Sequence, residues 1–563
     1  MESIAITLLI FFISINLFLT NGGIFMKKKT LSLMLATTLA TSLFAGCTQQ
    51  DNGYITENKI SYAYDQEENI IDDNYRNYYE IFVYSFYDSD GNGIGDLQGV
   101  IEKLDYIEYM GFNGIWLMPI MPSPSYHKYD VTDYYNIDEV YGTMEDFEQL
   151  VEECHNRGIN LIIDFVMNHS SSEHPWFTEA CTYLQSLEAG KEPNVAECPY
   201  VEYYHFTKEQ KNNTYYEVPG TEWFYEGAFW SGMPDLNYES DALRADFAKI
   251  ADFWIEKGVD GFRVDAVMHI ANGNIASNNE IMNWFYTHCT NSNPKFYMVS
   301  EVWDTLSTFE EYYGSLTPSI FNFDAGQSYG ILLKAAKGYL KPGKFIDQLI
   351  SYDTRFSSYN PNYIDAPFLT NHDMGRVAEV TSNNETSMRM AAGLLMMMNG
   401  NPFVYYGEEI GMTSTSDKDE NKRLPMIWSD TSDTGETKGP DGCDTSITSA
   451  FEGVEEQLAD GHSLLNYYRR ALELRNENPE IARGKIKKVD ALCNDQYGTL
   501  TKTYEDSTIA IIYNTSEEEV TVDITDTELS EMKIRGYLTF KGEEITLKNG
   551  IVTMPAKSIC ILK

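Results

Sequence analysis

A chain of 563 residues exceeds one ordinary domain, but a barrel of eight strand–helix units with insertions and one accessory β domain would use most of it. Hydrophobic residues at 43% and aromatic residues at 13% exclude a disordered chain. The formal charge of -44, from 41 basic and 85 acidic residues, excludes nucleic acid and anionic lipid heads as partners of the general surface, and serves solubility.

Two hydrophobic runs open the chain, residues 4–19 and 31–44. The second follows Met26-Lys27-Lys28-Lys29 and leads into Leu43-Phe44-Ala45-Gly46-Cys47. A basic start, a short apolar run and a cysteine after small residues resemble a bacterial lipoprotein signal, in which Cys47 becomes the lipid-bearing first residue. Residues 1–25 then read as sequence upstream of the true start. The alternative is a membrane anchor at 4–19, a run shorter than the ~20 apolar residues of a span. The protein is thus expected as a monomer at the outer face of a bacterial membrane, lipid-anchored or secreted. Residues 48–77 are polar and acidic without apolar period, and are expected to form a flexible tether. The seven later cysteines are scattered and match no disulfide framework or metal motif. Most are expected to be buried thiols, with Cys181 and Cys198 the pair an oxidising compartment would join.

From Tyr79 onward β-rich runs alternate with amphipathic stretches, the pattern of parallel βα units. Strands are predicted at 80–86, 114–120, 160–166, 261–266, 296–302, 319–324, 366–372 and 402–407, with helices such as 144–157, 242–257 and 387–398 between them. Eight right-handed crossovers close into a (β/α)8 TIM barrel with its active site at the carboxyl ends of the strands. The period breaks between His169 and Met233, where aromatic, Asn- and Pro-containing sequence predicts an inserted subdomain over 169–233 as one wall of the cleft. The barrel then comprises 78–168 and 234–477. From 478 to the end, short alternating runs at 500–504, 509–513, 520–524 and 551–555 predict an antiparallel β domain.

The polar groups at the predicted strand ends are mainly carboxylates and histidines. Strand three ends in Asp164-Phe165-Val166-Met167-Asn168-His169, strand four in Gly261-Phe262-Arg263-Val264-Asp265-Ala266, strand five in Ser300-Glu301-Val302-Trp303 and strand seven in Thr370-Asn371-His372-Asp373. Charged residues ending buried strands are destabilising unless paired or used. Any one of them is as well explained by a salt bridge at the barrel mouth. Four together, with no Cys/His metal set and no Gly-rich phosphate loop, point to glycosidic cleavage, where one acid protonates the leaving oxygen and a second attacks the anomeric carbon.

These four segments, in this order, resemble the signature regions of the α-amylase family of glycoside hydrolases (family 13), and the match runs from about Tyr79 to the chain end. Asn401-Pro402-Phe403-Val404-Tyr405-Tyr406-Gly407-Glu408-Glu409 and Arg423-Leu424-Pro425-Met426-Ile427-Trp428 are also family-like. The resemblance implies that Asp265 is the nucleophile, Glu301 the general acid/base, and Asp373 the third carboxylate, which grips sugar hydroxyls. In such a retaining mechanism the reacting carboxyls lie about 5–5.5 Å apart and Glu301 starts protonated. Arg263, two residues before Asp265, faces the same side of the pleat and can hold that carboxylate ionised. The resemblance also implies His169 and His372 as hydrogen-bond donors to the sugar at the cleavage point and Tyr129 as the ring stacked there. It implies Asp130, His269 and Arg376 as further substrate-binding residues.

After strand one, Asp88-Ser89-Asp90-Gly91-Asn92-Gly93-Ile94-Gly95-Asp96 sets oxygen ligands at every other residue, with glycines that allow a tight wrap. Family members with this loop hold one calcium with the residues matching Asp88, Asp90, Asn92, Asp96 and the Ile94 carbonyl. The bland alternative is a Gly-rich turn with solvated acids. Asn168 resembles the family's other calcium ligand, with Asp235 and the His269 carbonyl as companions.

Met233-Pro234-Asp235-Leu236-Asn237 resembles the group intermediate between oligo-1,6-glucosidases and neopullulanases. Exo-acting α-glucosidases of the family carry Asp three residues before the stacking Tyr, where this chain has Tyr126, which favours an open, endo-acting cleft. Met268 stands where typical α-amylases place Lys before the His after the nucleophile. The expectation is an α-amylase cutting internal α-1,4 bonds of starch-like glucans and maltooligosaccharides. Its alternatives are an exo-α-glucosidase, an oligo-1,6-glucosidase or neopullulanase-like enzyme, and an inactive glucan-binding protein, against which all three carboxylates argue.

Overall fold

The computed structural model describes residues 71–444 and 446–563; the lipoprotein-type signal, Cys47 and most of the tether lie outside the described residues. The last stretch assigned to the tether, 71–77, is instead packed against the barrel. Arg483 chelates the Asp73 carboxylate with both contacts at 2.7 Å, and the Arg76 amide donates to Asn401 at 2.9 Å. Asn77 is buried and exchanges hydrogen bonds with Asn113, Asn476 and Arg475. Acidity in this segment therefore reflects partners on the barrel as well as solvent.

The first three strands, β1 (Tyr78–Ile81), β2 (Gly114–Leu117) and β3 (Asn160–Phe165), pair in parallel. Three short strands of the insert follow, β4 (Phe206–Thr207), β5 (Tyr215–Glu217) and β6 (Phe224–Glu226). The barrel resumes with β7 (Gly261–Val264), β8 (Tyr297–Ser300), β9 (Ser319–Ile320) and β10 (Phe403–Tyr405). Their parallel sheet runs β10-β1-β2-β3-β7-β8-β9. Parallel bridges from Phe321 to Ala366 and from Phe368 to Phe403 complete the ring, so all eight predicted positions are filled. The seventh is reduced to single bridges because Pro367 has no N–H for the ladder, and only its carbonyl takes the Phe403 amide at 2.9 Å.

Both faces of these strands are covered, which explains their near-continuous hydrophobic sequence. Inside the barrel, Tyr78 stacks on Phe403 at 4.7 Å and on Tyr297 at 5.4 Å. A Cβ at Gly114 would lie 2.6 Å from the Tyr78 ring, so only glycine lets β2 pass it. The surrounding helices start where the sequence caps them. Thr143 and Asp146 form a reciprocal capping box before Met144–Asn156, and Ser240 caps Asp241–Glu256.

The insert sheet runs β4-β6-β5 and packs on helix Pro175–Ser186 through Phe177 against Tyr204 and Tyr225. Trp176 joins it to the barrel through Tyr134 and Phe247. The C-terminal region holds β11 (Lys485–Lys488), β12 (Tyr497–Tyr504), β13 (Ser507–Asn514), β14 (Val520–Asp523), β15 (Ile534–Leu538), β16 (Thr546–Lys548), β17 (Ile551–Met554) and β18 (Ser558–Leu562). An antiparallel sheet β11-β12-β13-β18-β15 faces a second sheet β14-β17-β16. Ile512, Val522, Val552 and Leu562 lie in the core between them. Cys181 and Cys198 are both free thiols, as are the other cysteines among the described residues, so the pairing expected for an oxidising compartment is not formed.

Candidate active site

The carboxyl ends of β7, β8 and the seventh barrel segment deliver Asp265, Glu301 and Asp373 to one cleft of about 560 Å³, in the range of small-molecule sites. Arg263, the third residue of β7, projects into the barrel mouth and is 1% exposed, so its charge must be answered locally. Its Nη1 lies 2.7 Å from Asp265 Oδ1 and 2.8 Å from Asp164 Oδ1, and its Nη2 lies 3.1 Å from Glu301 Oε2. One guanidinium thus spans three carboxyl groups from three neighbouring strands.

The turn after the first carboxylate sets the second. Ala266 takes a left-handed backbone, φ 49°, which aims its amide at Glu301 Oε2, 3.1 Å away. The next amide, Val267, donates to the Glu301 carbonyl at 3.0 Å. Burial pushes the carboxyl pKa of both Asp265 and Glu301 up, and Arg263 opposes the rise in each. Arg263 is closer to Asp265 and donates a hydrogen bond to it, whereas Glu301 also feels the Asp265 charge. The guanidinium thus favours the charged form of Asp265, whose carboxylate in turn favours the protonated form of Glu301.

Asp373 sits among cations. Its Oδ2 is 3.0 Å from His372 Nε2, and its Oδ1 takes a hydrogen bond from Arg423 at 2.9 Å. His372 is wholly buried; its Nδ1 faces Glu80 of β1 at 2.6 Å, and its Nε2 lies 2.8 Å from the Tyr129 hydroxyl. Burial alone would lower the His372 pKa, but Asp373 and Glu80 outweigh it and push the imidazole up to about 9. Burial would likewise raise Asp373, and His372 with Arg423 holds it well below the usual carboxylate range. The Tyr129 hydroxyl accepts from this imidazolium and donates to Asp164 at 3.0 Å, linking the two charge clusters. The loop bearing Tyr129 is fixed by Lys128, whose buried ammonium meets Asp138 at 2.7 Å.

His169 and His269 line the same cleft. Burial lowers the His169 pKa to about 4 and lowers that of His269, so both are neutral. His169 Nε2 is buried without a protein partner, free to donate to a ligand. Three other residues implied as substrate-binding stand behind the cleft. Asp130 accepts from Ser123 at 2.7 Å and braces the Tyr129 loop. The Arg376 guanidinium is buried over Tyr405 and Tyr406. His372 has both ring nitrogens engaged with protein groups, so it orients Asp373 and Tyr129 rather than meeting a ligand. The cleft gains residues to which sequence reasoning gave no role: Phe229, Trp230 and Trp303, each 43–50% exposed, and Arg423. Arg423 belongs to a family-like stretch, but its place across the cleft depends on a long return loop.

The acidic loop before helix Leu97–Glu102 gathers the Asp88, Asp90 and Asp96 carboxylates within 4.8 Å of one another. Gly91 and Gly93, at φ 82° and 94°, turn the chain so that their amides donate to Asp88 at 2.7 and 2.6 Å. The Asn92 side-chain oxygen accepts from the Ile94 amide at 2.7 Å. Three crowded carboxylates fit a hard divalent cation, although the Lys438 ammonium also reaches this loop and donates to the Asn92 carbonyl at 3.1 Å. The second proposed group, Asn168 with Asp235, is also brought together, but Asn168 Nδ2 donates to Asp235 at 3.1 Å and the His269 carbonyl accepts from Asn272. This contact uses only the Asn168 amide nitrogen and leaves Asn168 Oδ1 buried without a partner.

Comparison with known proteins agrees with this architecture. Residues 80–484 match the family described as alpha amylase, catalytic domain. The chain is 36% identical to Alpha-amylase 3 of Dictyoglomus thermophilum, over 86% of this chain and 92% of that one. It is 26% identical to an oligo-1,6-glucosidase of Parageobacillus thermoglucosidasius, over 83% and 95%. Among solved structures, Amy13B of Eubacterium rectale superposes with a TM-score of 0.85 at 43% identity, covering 88% of this chain and 96% of that one. The chain belongs to the α-amylase family of glycoside hydrolases.

Proposed function

We propose that the protein is a retaining, endo-acting α-amylase that hydrolyses internal α-1,4 bonds of starch-like glucans and maltooligosaccharides. The observation that carries this reading is Arg263 spanning Asp265 and Glu301 across the cleft from Asp373. Glu301 gives its proton to the leaving glycosidic oxygen while the Asp265 carboxylate attacks the anomeric carbon, so the C–O bond breaks as a glycosyl ester forms. The Glu301 carboxylate then takes a proton from water, whose oxygen displaces Asp265 and restores both groups. Asp373, kept ionised by His372 and Arg423, favours the cationic character of both transition states. His169 donates to the sugar, and Tyr129 presents its ring.

Endo action is supported at the glycone side. Tyr126 directs its hydroxyl to Arg423 Nη1 at 3.2 Å, so this position carries no carboxylate to seal a non-reducing end. Similarity to an oligo-1,6-glucosidase supports exo action as the second reading. Calcium is the cation we assign to Asp88, Asp90, Asn92, Asp96 and the Ile94 carbonyl, where it would neutralise the loop and fix its path after β1. A time course on soluble starch tests the function. Mixed maltooligosaccharides at the first time points support it, and glucose as the sole early product contradicts it.

A further inference from the structure

Glu80 is the third residue of β1 and only 1% exposed. Its neighbours in the sheet, Trp116 of β2 and Tyr405 of β10, are aromatic, and a buried carboxylate without a partner is costly. The partner comes from the seventh barrel segment, two strands away, where His372 places Nδ1 2.6 Å from Glu80 Oε1. The other ring nitrogen, Nε2, lies 3.0 Å from Asp373 Oδ2 and 2.8 Å from the Tyr129 hydroxyl. Tyr129 stacks on the imidazole at 5.6 Å, Trp116 meets it edge-on at 5.7 Å, and the ring is wholly buried. Packing thus holds the ring with a carboxylate at each nitrogen.

Charged groups face His372 from the surrounding strands and loops: Glu80 on β1, Asp164 on β3, Arg263 on β7 with Asp265 after it, Asp373 beside it, and Arg423 from the loop after β10. Arg263 is engaged with Asp164, Asp265 and Glu301, and Arg423 with Asp373. The carboxylates in direct contact with the ring are Glu80 and Asp373. Donation to both requires hydrogen on both nitrogens, which makes the ring a cation. The proton of the Glu80 contact belongs on the ring, because the Asp373 charge on its other side favours it there. A neutral ring that donated only through Nδ1 would turn a lone pair toward Asp373, which would then keep Arg423 alone as its cation.

We propose that Glu80 is a positioning residue for the cleavage: it holds His372 as a cation bonded at both nitrogens, and through that ring keeps Asp373 ionised and aimed into the cleft. This rests on the α-glucan reading above. Glu80→Gln keeps the shape and the acceptor at Nδ1 but removes the charge, so His372 should lose its proton at lower pH than in the wild type. An imidazolium is present below its pKa and lost above it, so the deficit of the variant should grow as pH rises. The ratio of variant to wild-type kcat/KM on maltoheptaose should fall by about tenfold between about pH 5.5 and 8.5, the span on either side of an ordinary histidine. The limb set by Glu301 is common to both proteins and cancels in the ratio. A ratio that stays constant with pH, at whatever level, marks a merely structural side chain and overturns the proposal. Carbon NMR of wild-type protein labelled at histidine Cε1 reads the ring directly, its signal identified by its loss in His372→Gln. The ring should be an imidazolium at about pH 7.5, about one unit above the ordinary histidine value. A neutral ring there overturns the proposal even if Glu80→Gln fails to fold. A wild type inactive on maltoheptaose would instead overturn the α-glucan reading, a failure distinct from either of these.

Discussion

Arg263 touches three carboxyl groups with two nitrogens, so charge and shape at this site can be separated by amide substitutions. Asp265→Asn keeps the shape and removes the nucleophilic charge; Glu301→Gln removes the transferable proton. Each should lower kcat on starch by about 100-fold or more, with circular dichroism spectra unchanged. Either variant keeping a tenth of the activity contradicts the roles assigned. Burial raises Glu301, and loss of its proton ends general-acid catalysis. The alkaline limb of kcat/KM should therefore lie above the ordinary carboxylate range. The three acids were legible because each follows a hydrophobic strand in a fixed local motif. Glu80 was not, because its role depends on His372, 292 residues away in the chain and adjacent only after the barrel closes. Asp130 and Arg376 hold motif positions right for a cleft, but their side chains turn behind it.

At the scale of elements, the acidic loop offers a direct test of calcium. Asp96 is a poor choice for substitution, since its side chain also caps helix Leu97–Glu102 by accepting from the Gly99 amide at 2.6 Å. Losing that cap alone costs about 1 kcal/mol. Asp90 is exposed and has no such duty. Calcium bound only to the folded protein should raise the melting temperature of the wild type, and Asp90→Ala should abolish most of that rise. A wild type whose melting temperature ignores both calcium and chelator would contradict the assignment. The helix starts predicted at 144 and 242 lie within one residue of those observed, where Thr143 and Ser240 act as caps. Short strands were less legible: β11, with its Lys-Ile-Lys-Lys sequence, and β16 carry little apolar pattern, since their identity comes from pairing with β12 and β17.

Across the whole molecule, the barrel and the C-terminal sheets are joined by two buried basic side chains at one helix end. Lys502 of β12 donates to the Met397 and Ile481 carbonyls at 2.7 and 2.6 Å. Arg475 donates to those of Met396 and Met398 at 2.7 and 2.6 Å. Both satisfy carbonyls left open where helix Glu385–Met396 ends. Eight barrel positions could be counted from hydrophobic period alone, whereas this junction could not, because a lysine inside a strand reads as a solvated residue until its partners are known. In the cleft, Arg263, Arg423 and His372 answer part of the carboxylate charge. Double displacement by Asp265 and Glu301, as proposed, would fix the configuration of the new reducing end. A proton NMR time course of maltoheptaose hydrolysis, read before mutarotation equilibrates the product, measures it directly. The α-anomer should appear first, and β-anomer as the initial product would contradict the account.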